Sequence, residues 1–130
     1  MLTFALDAKA KLPPAPARKP AVPLEAPEFH VDADKARAGE RLYGRCTIRH
    51  GMGAIAGGIA PDLRASPVPL SEEAFNHIVR GGALVSRGMP QFSELTDDQL
   101  DSLRHFFRLK ARNDLAVQSA QASSAGAAAH

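Results

Sequence analysis

The first helical pattern of apolar residues lies between positions 32 and 46. Its apolar positions recur at steps of three and four residues and form a single stripe: Ala36, Gly39, Leu42, Tyr43 and Cys46. An acidic residue before this stripe is a suitable N-cap, so we predict a helix from about Asp32 or Asp34 to Cys46. Glycine inside a helix costs about 1 kcal/mol relative to alanine. A close crossing with another helix would explain Gly39.

Two more helical patterns lie in the second half of the chain. Ser71 is a predicted N-cap for a helix that ends at Gly81-Gly82 and buries three residues: Phe75, Ile78 and Val79. Thr96 and Gln99 form a capping box for a third helix, whose apolar positions are Leu100, Leu103, Phe106, Phe107 and Leu109. Because no strand pattern interrupts these helices, we predict an all-α domain with long loops.

The two ends of the chain differ in composition from its centre. Six of the ten prolines lie between Pro13 and Pro27, which predicts an extended linker. Before it, residues 2–6 alternate as a short strand, either a flexible terminus or the last strand of an upstream domain. Residues 116–130 contain mostly Ala, Ser, Gln and Gly, which predicts a disordered tail. The predicted divisions are therefore 1–30 (remnant strand and Pro-rich linker), 31–115 (helical domain) and 116–130 (tail).

Composition excludes several classes of function. The net charge of +2 and the scattered basic residues do not indicate a nucleic-acid partner. The chain has no apolar run long enough for a transmembrane segment and no signal-peptide pattern at its start. A single cysteine excludes internal disulfides and cysteine-rich zinc sites. We find no pattern of a catalytic triad or phosphate-binding loop, so we expect no independent catalytic site. A domain with so small a hydrophobic core is only marginally stable without an additional stabilising element such as a cofactor.

The chemically informative motif is Cys46-Thr47-Ile48-Arg49-His50-Gly51. The attachment signature of c-type haem is C-x-x-C-H, in which two thiols on one helical turn reach the haem vinyl groups and the histidine ligates the iron. This chain matches at Cys46 and His50 and has Arg49 in place of the second cysteine. A cysteine near a histidine is more often structural, so the motif alone leaves both interpretations open.

Two downstream features favour the haem interpretation. Gly88-Met89-Pro90 follows His50 by 39 residues, and His/Met ligation is the cytochrome c arrangement. Pro61 lies in a segment after a glycine-rich loop, where a backbone carbonyl can accept a hydrogen bond from Nδ1 of His50 and orient the ring.

Taken together, these motifs resemble a class I cytochrome c domain, and the match extends from about residue 38 to residue 109. Leu2-Thr3-Phe4-Ala5-Leu6-Asp7 with Lys11-Leu12-Pro13-Pro14 resembles the last propeller strand and linker of quinohaemoprotein alcohol dehydrogenases. In that family, a domain that carries pyrroloquinoline quinone (PQQ) precedes a C-terminal cytochrome domain. The resemblance implies a small helical fold around a haem, with the PQQ held only in an upstream domain absent from this chain.

The resemblance also implies a function and a set of site residues. Cys46 would be the covalent anchor of haem c, His50 the proximal and Met89 the distal iron ligand, with Pro61 orienting His50. Electrons would enter from a PQQ propeller domain or dehydrogenase subunit and leave to an external redox protein or quinone. The expected location is the periplasm.

Two alternatives remain open at the level of sequence. Because of Arg49, the domain is either a haem protein with one covalent link or a degenerate, haem-free domain that acts as a structural or interaction module. Arg64 and Arg87 are candidates to contact haem propionates, with a solvated surface position as the alternative for each.

Overall fold

The computed structural model describes residues 21–56 and 60–128. Within these ranges the chain forms four α-helices: α1 (Ala33–Tyr43), α2 (Thr47–His50), α3 (Glu72–Val79) and α4 (Asp97–Ala128). Short 3-10 turns lie in the connecting segments at Met52–Ala54, Val68–Leu70 and Val85–Arg87. The described part of the chain contains no strand, which confirms the all-α prediction. The strand predicted at residues 2–6 and the linker up to residue 20 lie outside the described residues.

Helix α1 begins where the sequence predicts and ends earlier. The Asp32 carboxylate caps it by accepting from the backbone N–H groups of Asp34 and Lys35 at 2.8 and 3.0 Å. The helix ends at Tyr43 instead of Cys46, because Gly44 follows and the Cys46 N–H bonds back to the Tyr43 carbonyl in a tighter turn. Cys46 is therefore the N-cap of α2.

Helices α1 and α4 cross closely at Gly39, as the sequence predicts. A Cβ atom at this position would overlap the Ser102 carbonyl and lie 2.9 Å from the Phe106 Cβ. The crossing packs Tyr43 against Phe106 and Phe107, with ring centroids 5.1 and 5.6 Å apart. These aromatic contacts form the centre of a core that also includes Phe75, Val79, Leu95, Leu100 and Leu103.

The caps of α3 and α4 are those predicted. Ser71 Oγ accepts from the Ala74 N–H at 3.2 Å. At the start of α4, Gln99 accepts from the Thr96 N–H at 3.0 Å and Thr96 Oγ1 accepts from the Gln99 N–H at 3.3 Å, which is a complete capping box.

The C-terminal segment differs from its prediction. Instead of a disordered tail from residue 116, α4 continues to Ala128. Alanine has the highest intrinsic helix propensity, so a run poor in large apolar residues can still extend an established helix. The Ser119 and Ser123 hydroxyls satisfy their own donors on the carbonyls of Leu115 and Ser119 within the helix. No helix in the described ranges is both long and apolar enough to cross a membrane.

Three arginines spaced four residues apart on α4 bond to the backbone of irregular segments. Arg104 donates to the carbonyls of Pro69 and Leu70 at 2.8 and 3.2 Å. Arg108 donates in the same way to carbonyls of residue 24 and of the segment 63–66, and Arg112 donates to those of residues 26 and 29. Carbonyl groups outside helices and sheets need such donors when they are buried. The arginine series therefore fastens the long loops to the longest helix.

A buried ion pair fixes the segment after residue 60. Arg64 donates from Nε and Nη2 to the two Asp62 oxygens at 3.0 and 2.6 Å and from Nη1 to Asp114 at 2.8 Å. The side chains of Arg64 and Asp62 are only 9% and 8% exposed. Neither alternative expected for Arg64, a propionate contact or a solvated surface position, agrees with this arrangement. Burial alone would raise the pKa of Asp62, but hydrogen bonds from Arg64 and backbone N–H groups hold that pKa below its ordinary value.

The crossing at Gly39 generates a stability prediction. We expect Gly39→Ala to destabilise the chain by about 2 kcal/mol, because overpacking at the crossing exceeds the gain of about 1 kcal/mol in helix propensity. Urea unfolding followed by circular dichroism measures the change. Gly44→Ala is the matched control, since its nearest neighbouring atom would be 3.9 Å away. Equal effects of the two substitutions would contradict a close crossing.

The buried ion pair generates a prediction on pH. The folded state lowers the pKa of Asp62 from 3.8. The ionised carboxylate therefore contributes fully to the free energy of unfolding above pH 3.8, and this contribution is lost as pH falls through the pKa of the folded state. We expect Asp62→Asn to cost about 3 kcal/mol at neutral pH. The gap in unfolding free energy from the wild type should then narrow below about pH 4. Asp98→Asn, which removes an exposed carboxylate, is the control and should reduce the free energy of unfolding at neutral pH much less than Asp62→Asn does. A gap independent of pH would contradict the ion pair.

Candidate functional site

A cavity of about 360 Å³ lies within the hydrophobic core, between α2, α3, α4 and the loop that carries Met89. All four residues that the sequence singled out line it: Cys46, His50, Pro61 and Met89. The other walls are mostly apolar and include core side chains such as Phe75, Leu103 and Phe107. Ligand sites are typically clefts of about 300–1,000 Å³ with mostly apolar walls, so this cavity has the size and lining of a ligand site.

His50 is oriented by a backbone carbonyl. Its side chain is buried at the end of α2, and Nδ1 lies 3.0 Å from the Pro61 oxygen. Since a carbonyl only accepts hydrogen bonds, the proton of the neutral ring sits on Nδ1 and the lone pair is on Nε2. A histidine ligand to a metal is typically held in this way.

The backbone on both sides of His50 and Pro61 is also fixed. The Tyr43 hydroxyl donates to the Gly51 carbonyl at 2.7 Å, and burial raises the pKa of Tyr43 to about 12, so it stays a donor at neutral pH. Asp62 accepts from the Ala56 N–H at 3.4 Å and thereby ties the chain before Pro61 to the chain after it. Neither the contact of the Tyr43 hydroxyl nor that of Asp62 follows from local spacing in the sequence, so neither was predicted.

Met89 is presented by a turn that requires glycine. Gly88 has φ of +84°, in the left-handed region that favours glycine, and ends the 3-10 turn Val85–Arg87. The Met89 N–H donates to the Leu84 carbonyl at 3.1 Å. Further along, the Phe92 N–H donates to the Val79 carbonyl at 2.9 Å and fastens the loop to α3. Met89 is half-buried and packs against the core from this fixed backbone.

Cys46 lies on the cavity wall at the start of α2 and is half-buried. Burial raises the pKa of its thiol, so little thiolate forms at neutral pH. This argues against a role as a catalytic nucleophile.

Arg49 also borders the cavity, and its side chain is exposed. Its guanidinium lies against the methionine loop, because a Cβ atom at Gly88 would be 3.4 Å from Arg49 Nη1. Arg87, next to Gly88, is likewise an exposed lining residue. Arg49 is therefore an exposed residue at the border of the cavity, with its guanidinium next to the loop that carries Met89.

Among residues 21–56 and 60–128, no three His, Cys, Asp or Glu side chains converge as a metal-binding group. His105 is held in the fold, since its Nδ1 accepts from the Asp32 N–H at 3.0 Å and its ring packs on the edge of Phe29. The donors at the cavity are the imidazole, thioether and thiol described above.

Comparison with known proteins identifies similar chains. Quinohemoprotein alcohol dehydrogenase ADH IIB of Pseudomonas putida is 40% identical over 117 residues, which is 88% of this chain and 17% of that protein. The dehydrogenase subunit of the quinone alcohol dehydrogenase of Gluconobacter oxydans is 34% identical over 113 residues, 85% of this chain and 15% of that subunit. No protein-family model matches the chain.

A solved structure agrees with the sequence comparison. Quinohemoprotein alcohol dehydrogenase ADHIIG of Pseudomonas putida superposes with a TM-score of 0.58 and 32% identity, over 80% of this chain and 15% of that one. The chain thus spans about one sixth of the length of the relatives it matches. It is homologous to one segment of the quinohaemoprotein alcohol dehydrogenases.

Proposed function

We propose that this chain holds a c-type haem in its core cavity and serves as the electron-transfer domain of a quinohaemoprotein dehydrogenase. One observation carries the proposal: the thiol of Cys46, the imidazole of His50 and the thioether of Met89, from two separate parts of the chain, line a single mostly apolar cavity. Relatives whose names state that they are quinohaemoproteins give independent support.

The residues present fit a haem. The Nε2 lone pair of His50 is available because Nδ1 donates to Pro61. The thioether of Met89 is a soft donor, and His/Met is the ligand pair of cytochromes c. The apolar walls suit a porphyrin ring, and the half-buried Cys46 thiol can form one thioether bond at the edge of the cavity. When bound, the haem iron supplies one-electron oxidation and reduction.

The chain's own residues would perform three tasks in this function. His50 and Met89 would bind the iron from different elements, α2 and the glycine-shaped loop, and so set the reduction potential. Cys46 would keep the cofactor attached. The core side chains around the cavity, among them Phe75 and Phe107, would exclude water from the ring and keep the local dielectric constant low.

The partners and location proposed from the relatives follow the same reasoning. We propose a domain or subunit with PQQ as the electron donor, an external redox protein or quinone as the acceptor, and the periplasm as the location. The alcohol dehydrogenase names of the relatives are the support for the donor.

The competing proposal is a haem-free module that acts only through contacts with another domain. Arg49 favours it, because the second attachment cysteine is missing. Against it, Arg49 is an exposed residue at the border of the cavity, and the 88% of this chain that matches the Pseudomonas putida relative includes both ligand candidates. One covalent link plus two axial ligands would still be three attachments to the haem.

Substitution of the methionine ligand tests the proposal. The full chain, exported in a host with c-type haem maturation, should give a low-spin visible spectrum. Met89→Ala should lose the methionine-to-iron absorption band and lower the midpoint potential by on the order of 0.1 V, within the roughly 0.8 V range that axial ligands control.

Met52→Ala is the matched control, since Met52 is 80% exposed and lies outside the cavity lining. It should leave the spectrum and the potential unchanged. An unchanged spectrum in Met89→Ala would remove Met89 as a ligand. A chain that takes up no haem would instead favour the interaction module.

A further inference from the structure

The buried Arg108 holds two separate segments at once. Its side chain is 2% exposed, and it donates to four backbone carbonyls: Leu24 at 3.3 Å, Leu63 at 3.2 Å, Arg64 at 3.0 Å and Ser66 at 3.4 Å. No carboxylate pairs with it in the described part of the chain. Peptide dipoles therefore take the place of water at Nη1 and Nη2, while the buried Nε has no hydrogen-bond partner among the described residues.

The two segments are the linker segment (residues 21–27) and the proximal loop (residues 60–66). They also bond each other directly, because the Leu24 N–H donates to the Arg64 carbonyl at 2.9 Å. That carbonyl is one of the four acceptors of Arg108. A displacement of the linker segment would thus disturb hydrogen bonds on which the proximal loop depends.

The proximal loop carries the group that orients His50. The Pro61 carbonyl accepts from His50 Nδ1 at 3.0 Å, and Leu63, two residues later, is held by Arg108. Strengthening or weakening this Nδ1 bond changes the basicity and orientation of an imidazole ligand. The path from linker to ligand is therefore short: Leu24, Arg108, the proximal loop, His50.

We propose that Arg108 is a positioning residue that couples the linker segment to His50. A change in the position of whatever precedes the linker would alter the Pro61–His50 hydrogen bond through this contact. The effect of the linker segment on the Pro61–His50 hydrogen bond follows from the contacts described. Its further effect on a reduction potential rests on the proposed function.

The neighbouring arginines provide a matched control. Arg112 bonds the carbonyls of Ala26 and Phe29, so it holds the linker region, and it makes no hydrogen bond to the described residues of the proximal loop. Arg104 bonds Pro69 and Leu70, beyond the proximal loop. Of these three arginines, Arg108 is the one that contacts both segments.

The test compares Arg108→Lys with Arg112→Gln in the full chain. Lysine keeps the charge, but its compact ammonium cannot span four carbonyls. The first readout is the hydrogen-exchange rate of the His50 Nδ1 proton, measured by nitrogen-15 NMR without haem. We expect Arg108→Lys to raise it about fivefold, the factor for one weakened hydrogen bond. Arg112→Gln should leave it unchanged.

The second readout is the midpoint potential of the haem-loaded chain. A weaker Nδ1 bond makes the imidazole a poorer donor to oxidised iron, so Arg108→Lys should raise the potential and Arg112→Gln should not. If wild-type chain takes up no haem, the proposed function fails, while the Nδ1 exchange still decides the coupling.

The slowest-exchanging backbone amides of α4, measured in the same sample, report how much Arg108→Lys destabilises the whole fold. If the exchange rate of the His50 Nδ1 proton rises only as much as the rates of those amides, the proposal is overturned. Should Arg108→Lys fail to fold, Leu24→Pro removes the N–H that bonds the Arg64 carbonyl and leaves Arg108 in place. It should raise the His50 exchange rate, and an unchanged rate would overturn the coupling.

Discussion

The close crossing of α1 and α4 at Gly39 is the constraint on which the rest of the structure depends. It allows the α4 backbone to approach until the Ser102 carbonyl occupies the space of a side chain. Tyr43 is thereby placed on Phe106 and Phe107, and its hydroxyl reaches the Gly51 carbonyl next to His50. The position of the candidate iron ligand is thus a consequence of one residue without a side chain, eleven positions earlier.

Helix α4 stabilises the remainder by solvating loop carbonyls with arginine. Arg104, Arg108 and Arg112 are spaced one helical turn apart, and each bonds backbone carbonyls in the segments that connect or precede the α-helices. A domain of this size with long loops has many carbonyl groups to satisfy and little apolar area to bury. Its largest apolar side chains partly surround a cavity instead of filling the core. An apolar ligand there would complete the packing, which connects the stability of the fold to its proposed function.

The helices and the residues of the candidate site could be predicted from sequence, because caps and helical spacing act over short range. Ser71, the Thr96–Gln99 box and the Gly39 crossing are examples. Two predicted boundaries differ from the structure: α1 ends at Tyr43 and not at Cys46, and α4 continues through residue 128 where a tail was predicted from residue 116. Both boundaries depend on a balance of small helix propensities. The roles of Arg64 and Arg108 were not predicted. The burial of Arg64 and its bond to Asp114, 50 residues away, do not follow from local spacing, and Arg108 bonds only backbone carbonyls 42 to 84 residues away. The four-residue spacing of Arg104, Arg108 and Arg112, next to the apolar positions of α4, was the sequence feature that could have indicated partly buried arginines.

A pyridine haemochrome spectrum decides whether Cys46 holds a haem despite Arg49. The exported chain is denatured, extracted to remove free haem, and compared with Arg49→Cys under identical conditions. We predict that haem stays with the wild-type polypeptide, with an α-band that reports one unsaturated vinyl group, and that Arg49→Cys shifts this band to the two-thioether position. Haem that extracts from the wild type but stays with Arg49→Cys would contradict attachment at Cys46 and identify the chain as one that has lost the covalent link.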